Sequence, residues 1–172
     1  MTTPIQQGLI DRITLLLEAE PAAEAAWLAG SLGLGRGDDV SDVDVLALAS
    51  DGQADHLSAA VSDELSSIGK PVLVNALFGG RVLSVVTEEW ARYDISIIEA
   101  PDLVRYNANS LRPLFNKTGR APSARPDAPY QVVPEALLKL VQEFLRVLGL
   151  AVVVVAGRNM SWVSPASISC AG

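Results

Sequence analysis

The sequence predicts an α+β domain built on a mixed, antiparallel-rich sheet that is flanked by helices and followed by a C-terminal helical segment. Three observations support this class. Short strand-like runs alternate with amphipathic helical runs, a Gly79-Gly80 pair joins two strand patterns, and a last helical pattern follows a proline-rich stretch. With 172 residues, of which 49% are hydrophobic, the chain is long enough to bury a core.

The order of the elements follows from hydrophobic spacing. An N-terminal helix places Leu9, Ile13, Leu16 and Leu17 on one face and ends before Pro21. A short buried strand around residue 27 and a second strand at residues 43–48 come next. Residues 55–68 predict another helix, and residues 72–78 and 82–86 predict the two strands of the hairpin. A strand through Asp94 completes the sheet.

A glycine-rich stretch that ends in two aspartates, GSLGLGRGDDVSDVD, occupies residues 30–44. The strand period of two places Asp42 and Asp44 on one face, about 7 Å apart along the chain. Aspartate is depleted in strands and like charges on one face repel, so a shared divalent cation would offset the cost. The alternative is a glycine-rich turn whose aspartates are simply solvated.

The Gly-Ser pair that opens this stretch predicts a phosphate-binding turn. Gly30 lets the backbone approach a ligand closely, and Ser31 can cap the turn or helix that follows. Free backbone N–H groups at such a turn bind phosphate. Arg36 adds one side-chain contact to phosphate.

Asp94 interrupts the strand-like run YDISII at residues 93–98. From this pattern alone, Asp94 either marks a solvent-facing side of the strand or supplies a third carboxylate. The Asp42 and Asp44 pair favours the third carboxylate, because two-metal phosphoryl transfer needs bridging carboxylates and a group that takes the proton of the attacking hydroxyl.

On these residues the chain resembles the DNA polymerase beta-like nucleotidyltransferase superfamily, whose pattern is a Gly-Ser pair, a spacer of similar length and Asp-x-Asp between hydrophobic residues. Residues 78–100, FGGRVLSVVTEEWARYDISIIEA, are similar to the segment of antibiotic-modifying members that leads through a Trp-containing turn to the third carboxylate, here Asp94. Many relatives carry Arg-Gly where this chain has Leu34-Gly35. Arg36 would then have to replace that phosphate contact.

The resemblance implies a nucleotidyltransferase fold and the metal-dependent transfer of a nucleoside monophosphate from a nucleoside triphosphate to a hydroxyl of a small acceptor. Asp94 would be the general base, and the acceptor would be an aminoglycoside- or lincosamide-like antibiotic. The resemblance implies that the nucleotide is bound by Gly30, Ser31 and Arg36. It also implies that two Mg²⁺ ions are bound by Asp42, Asp44 and Asp94, and that these three aspartates are the catalytic residues. Two alternatives remain: an antitoxin that binds or nucleotidylates its partner toxin, and an inactive truncated remnant.

Charge and cysteine content limit the partners and the compartment. A net charge of −7, a pI near 4.6 and the lack of a Lys/Arg cluster argue against nucleic acid and favour a small or cationic hydroxylated acceptor. The single cysteine, Cys170, cannot form an internal disulfide, and no signal-peptide pattern is present, so a cytoplasmic location is expected. The sequence is compatible with a homodimer but does not determine the oligomeric state.

The composition divides the chain into three segments. Residues 1–116 predict the catalytic domain, residues 117–134 a proline-rich linker, and residues 135–172 a partial C-terminal helical region and tail. The amphipathic helix over residues 135–148 needs a surface to pack against. The apolar run of residues 144–156 contains Arg146 and is shorter than the roughly 20 residues of a membrane span, so no membrane segment is expected.

Several single residues are interpreted without a chemical role. His56 is expected to be solvated at the start of a helix. Trp27, Trp90 and Trp162 are expected to be core or rim anchors rather than platforms for a nucleobase.

Overall fold

The computed structural model describes residues 2–126 and 133–156, and the chain divides into two compact units, residues 1–127 and 128–172. Part of the expected linker, the tail, Trp162 and Cys170 lie outside the described residues. The regular elements of the first unit are α1 (Pro4–Ala19), β1 (Ala23–Leu28), α2 (Gly30–Gly33), β2 (Val43–Ala49), α3 (Ala54–Asp63), α4 (Leu65–Ile68), β3 (Pro71–Leu77), β4 (Val82–Thr87), β5 (Arg92–Ile98), two 3₁₀ segments (Ala100–Arg105 and Ala108–Ser110) and β6 (Arg112–Asn116).

The six strands form one sheet in the order β3-β4-β5-β2-β1-β6. The central β2–β5 pair is parallel and the other four neighbouring pairs are antiparallel. The α+β class and the mixed, antiparallel-rich sheet predicted from the sequence are therefore confirmed. The Gly79-Gly80 hairpin is also present, between β3 and β4.

The helices cover one face of the sheet. Leu9, Ile13 and Leu17 from α1 are fully buried against alternate residues of the central strands, together with Leu57 and Val61 from α3. Helix α1 begins with a capping box at Thr3 and a proline in its first turn, and both features favour the start of a helix. The odd-numbered residues of β2 and β5 supply the face that these helices cover.

The opposite face carries a smaller apolar cluster at one end of the strands. Trp27, Leu46, Leu48 and Ile98 are buried there under the 3₁₀ segments. Period-two alternation puts the even-numbered residues of the central strands on this face, since Val43 and Val45 belong to the helix-covered core. The predicted carboxylates of β2 and β5 thus lie on the face that the helices leave open.

Two elements and one tryptophan differ from the sequence prediction. The helix expected over residues 55–68 is divided at Glu64, whose N–H bonds to the Val61 carbonyl three residues back and ends the first helix. Strand β6 was not predicted, because its sequence RPLFN includes a proline that is compatible with a strand only at an edge. Trp27 is buried as expected, whereas Trp90 is 83% exposed and has a positive φ of 60°.

The second unit contains one described helix, α5 (Pro134–Ala156), which is longer than the predicted residues 135–148. The predicted apolar stripe of Leu137, Leu138, Val141, Leu145 and Leu148 is exposed along its whole length. The C-terminal helical segment is confirmed. No helix within the described residues is long and apolar enough to cross a membrane.

Candidate metal and nucleotide site

The parallel pairing of β2 and β5 brings two of the predicted carboxylates side by side. Asp44 and Asp94 are directly opposite each other in the register of these strands, each on the face that the helices leave open. Asp42 directly precedes β2, two residues from Asp44. Asp44 and Asp94, which have 49 residues between them in the sequence, thus meet because the two central strands are parallel.

Asp42 has a partner that the sequence analysis did not assign. The guanidinium Nη2 of Arg92 lies 3.7 Å from Oδ2 of Asp42, and both side chains are partly exposed. Arg92 precedes Asp94 by two residues on β5, so strand alternation places both on one face. This spacing of two residues could have indicated from the sequence that Arg92 lies on the same sheet face as Asp94.

Burial and neighbouring charges raise the pKa of Asp44 above its usual value. Partial burial is the larger cause, and the negative charges of Asp42 and Asp94 add to it, while Arg92 opposes them. The four charged groups therefore interact electrostatically. Within the residues that the structure describes, however, no three Asp, Glu, His or Cys side chains are placed closely enough to hold one metal ion.

Gly30 lies directly against the Asp44 carboxylate. A Cβ at position 30 would be 1.9 Å from Oδ2 of Asp44, and the φ of Gly30 is +58°, so glycine is needed on both counts. The backbone N–H of Ala29 donates to the carbonyl of Asp44 at 2.8 Å, which ties the glycine turn to β2. The Gly-Ser pair and the Asp-x-Asp pair therefore form one structural unit.

The other predicted nucleotide ligands lie in and after the single-turn helix α2. Ser31 is half-buried, and no side-chain hydrogen bond caps the start of α2, so its expected capping role is not observed. The N–H of Arg36 donates to the Ser31 carbonyl at 2.8 Å, and the Arg36 side chain is exposed. The loop around Arg36 thus folds back toward the glycine turn.

The loop before Asp42 is held by a buried glutamine of α1. The Gln6 amide donates to the carbonyls of Asp38 and Ser41 at 2.8 and 2.7 Å. Ser41 in turn donates to the Asp38 carboxylate, and this hydrogen bond lowers the pKa of Asp38. Asp38 and Asp39 are loop residues, and Gln6 positions this loop although no local sequence pattern indicates that role.

Among known proteins, the chain is similar to several solved structures. No protein-family model matches the chain, and no curated protein matches it. A cytoplasmic RNA terminal U-transferase is 21% identical over 54% of this chain and 28% of its own, with a TM-score of 0.38. A CCA-adding enzyme in complex with CTP is 18% identical over 65% of this chain and 27% of its own, with a TM-score of 0.44.

An aminoglycoside 6-adenyltransferase from Bacillus subtilis is 15% identical over 63% of this chain and 40% of its own, with a TM-score of 0.39. Each of the three names describes the transfer or addition of nucleotides. The chain spans well under half the length of each neighbour. Similarity at this level assigns neither an activity nor a substrate to this chain.

Proposed function

We propose that this protein transfers a nucleoside monophosphate from a nucleoside triphosphate to a hydroxyl group of a small acceptor, in a metal-dependent reaction. The observation that carries the proposal is the pairing of Asp44 with Asp94 across parallel strands, with Asp42 two residues away and Gly30 against Asp44. The repulsion among these carboxylates is a cost to the fold unless a cation offsets it.

The donor chemistry of the cluster fits Mg²⁺, which prefers oxygen ligands. Asp42, Asp44 and Asp94 would hold two such ions, which would neutralise charge on the triphosphate and on the leaving pyrophosphate. The three carboxylates would have to lie closer together than they do in the structure. Asp42 would also have to give up its contact with Arg92 and bind a metal ion instead. In the absence of the ions, Arg92 offsets part of the carboxylate repulsion, because it lies against Asp42.

The protein's own groups would perform the remaining steps. Gly30 and Ser31 would bind phosphate through backbone N–H groups, and Arg36 would add a side-chain contact. Asp94 would accept the proton of the acceptor hydroxyl, whose oxygen attacks the α-phosphorus as pyrophosphate leaves. The carboxylate of Asp94 lies on the open sheet face, where an acceptor can approach.

The acceptor class rests on the resemblance and on charge. The residues from Trp90 to Asp94 resemble antibiotic-modifying relatives, so an aminoglycoside- or lincosamide-like compound is the proposed acceptor. The net charge of −7 favours a cationic molecule. The antitoxin alternative has no specific structural support and becomes an outcome of the experiment below.

The test is transfer of label from α-labelled nucleoside triphosphates, with Mg²⁺, to a panel of hydroxylated amines. We expect Asp44→Asn to reduce transfer about a thousandfold, the loss of roughly 4 kcal/mol at about 1.4 kcal/mol per decade. Asp63→Asn, which changes an exposed carboxylate at the end of α3, is the matched control and should retain activity. Equal activity of wild type and Asp44→Asn would refute the proposal. If Asp44→Asn protects cells against a partner toxin to the same extent as wild type does, the antitoxin alternative is favoured.

A further inference from the structure

The two edge strands of the sheet differ in how well they are protected against pairing with another chain. Edge strand β6 has five residues, contains Pro113, begins with Arg112 and is followed by Lys117. Charges and prolines of this kind are the usual means by which an edge strand avoids pairing with another chain. This edge is therefore unsuited to further strand addition.

Edge strand β3 has neither a charge nor a proline in its interior, and its one irregularity, a register shift with β4 between Pro71 and Leu73, lies at its start. Its seven residues, PVLVNAL, include no charged residue, and its only proline stands at the first position. Val72, Leu73, Val74 and Leu77 are each between 43% and 57% exposed. Within residues 2–126 no strand pairs with its outer side. A long, uncharged and apolar edge is a template for another strand.

The outward-pointing backbone groups of β3 can be identified from the hairpin turn. The carbonyl of Leu77 accepts from the N–H of Gly80 at 3.0 Å, so the polar groups of Leu77 point into the hairpin. Alternation along the strand then directs the N–H and carbonyl groups of Ala76 and Val74 outward. Val74 is the middle residue of the strand.

We propose that β3 pairs with β3 of a second copy of this chain, antiparallel and with Val74 on the two-fold axis. In this register Val74 lies opposite the partner's Val74 and Val72 lies opposite the partner's Ala76, so that only apolar side chains meet on the helix-covered side. On the other side Leu73 meets the partner's Asn75. Because the two-fold axis is perpendicular to the sheet, the carboxylate faces of both copies lie on the same side of one continuous sheet.

Charge favours a second copy at this edge. The chain carries a net charge of −7, which opposes self-association through most of its surface. Residues 70–81 include no acidic residue, and their two basic residues, Lys70 and Arg81, form ion pairs with Glu88 and Asp55. This edge therefore carries little net charge, so two copies of it can approach without the repulsion that the net negative charge causes elsewhere.

Sedimentation of the full chain over a range of concentrations tests the proposal, which is independent of the proposed catalytic function. We expect a mass twice the 18.1 kDa of the chain for wild type. Val74→Lys places two cations together on the axis and should give a folded monomer, with an unchanged far-UV circular dichroism spectrum and without the concentration-dependent melting temperature expected of the dimer. Leu15→Lys, at an exposed leucine of α1, is the matched control and should stay dimeric.

Disulfide trapping tests the register. In a Cys170→Ser background, Val74→Cys should cross-link under mild oxidation, because residues directly opposite in an antiparallel pair are within disulfide reach. Leu73→Cys, which lies opposite Asn75 of the other copy, should not cross-link to itself. A monomeric wild type, a dimer that survives Val74→Lys, or cross-linking at position 73 but not 74 would each overturn the proposal.

Discussion

At the scale of single residues, Asp44 carries a charge that its surroundings disfavour. It is half-buried, is paired with Asp94 across the parallel strands, and has the backbone of Gly30 so close to its carboxylate that a Cβ there would not fit. Arg92 offsets part of this charge through its interaction with Asp42 and Asp44. The cluster is thus arranged so that a bound cation would remove an existing repulsion.

The raised pKa of Asp44 gives a prediction about stability and pH. Its pKa is higher in the folded state than in the unfolded state, so its ionisation costs stability as the pH rises from the unfolded pKa through the folded pKa. Without divalent cations, we expect Asp44→Asn to melt about one to two degrees higher than wild type at pH 7, a small effect because solvent screens the half-exposed group.

The same difference should disappear as the pH falls below the unfolded pKa of about 3.9, where the carboxyl is neutral in both states. Thermal melts of both proteins between pH 3 and pH 8 check this. A variant that melts lower than wild type at pH 7 would show that ionised Asp44 is already stabilised by its neighbours.

Tyr93 supplies a second prediction at this scale. Its side chain is fully buried in the helix-covered core, burial raises its pKa to about 12, and within the described residues its hydroxyl has no hydrogen-bond partner. Because an unpaired buried hydroxyl is costly, we expect Tyr93→Phe to raise the free energy of unfolding by about 1 kcal/mol. Denaturant unfolding measures this, and a loss of stability would indicate that the hydroxyl is satisfied in solution.

At the scale of elements, the glycine turn and β2 act as one unit, and two glycines of the turn allow a matched test. Gly30 and Gly35 both have positive φ, at 58° and 70°, but only at Gly30 would a Cβ meet another atom, Oδ2 of Asp44 at 1.9 Å. Alanine at either position therefore carries the same backbone strain, about 1–2 kcal/mol. Only Gly30→Ala disturbs the carboxylate.

If Gly30 forms the phosphate turn, Mg²⁺ with a nucleoside triphosphate should raise the melting temperature of wild type and of Gly35→Ala, because ligand binds the folded state. Gly30→Ala should lose that increase. The measurement is a thermal shift with and without ligand for all three proteins. An equal increase in Gly30→Ala would place the phosphate site elsewhere, for example at Arg36.

Some of the helices and strands could be predicted from the sequence and others could not. The hairpin, α1 and the central strands were predictable because their apolar residues repeat with a regular period. The division of the helix at Glu64 was not, because Leu57, Val61, Leu65 and Ile68 keep helical spacing across the break. Strand β6 was not predictable either, since it is only five residues long and its place depends on pairing with β1.

For the candidate site, the sequence named the carboxylates but not their surroundings. Asp42, Asp44 and Asp94 were identifiable because charged residues interrupt apolar strands. The contact of Arg92 with Asp42 and the support of the preceding loop by Gln6 depend on tertiary packing, which no local pattern contains. The metal, nucleotide and acceptor assignments stay predictions.

At the scale of the whole molecule, the two faces of the sheet in the first unit have different roles. Helices α1, α3 and α4 bury one face and supply the core, while the open face presents the carboxylate cluster. The helix α5 of the second unit keeps a long apolar stripe exposed. The proposed metal ligands, Asp42, Asp44 and Asp94, all belong to the first unit.

The most direct test of the account is therefore metal binding, which requires no knowledge of the acceptor. Titration of the protein with Mn²⁺, followed by the electron paramagnetic resonance signal of free Mn²⁺, would measure it. We expect saturable binding in wild type and in Asp63→Asn, and a loss of at least tenfold in affinity in Asp44→Asn, about 1.4 kcal/mol or more. Absence of saturable binding in wild type, or equal affinity in wild type and Asp44→Asn, would contradict the proposed metal site.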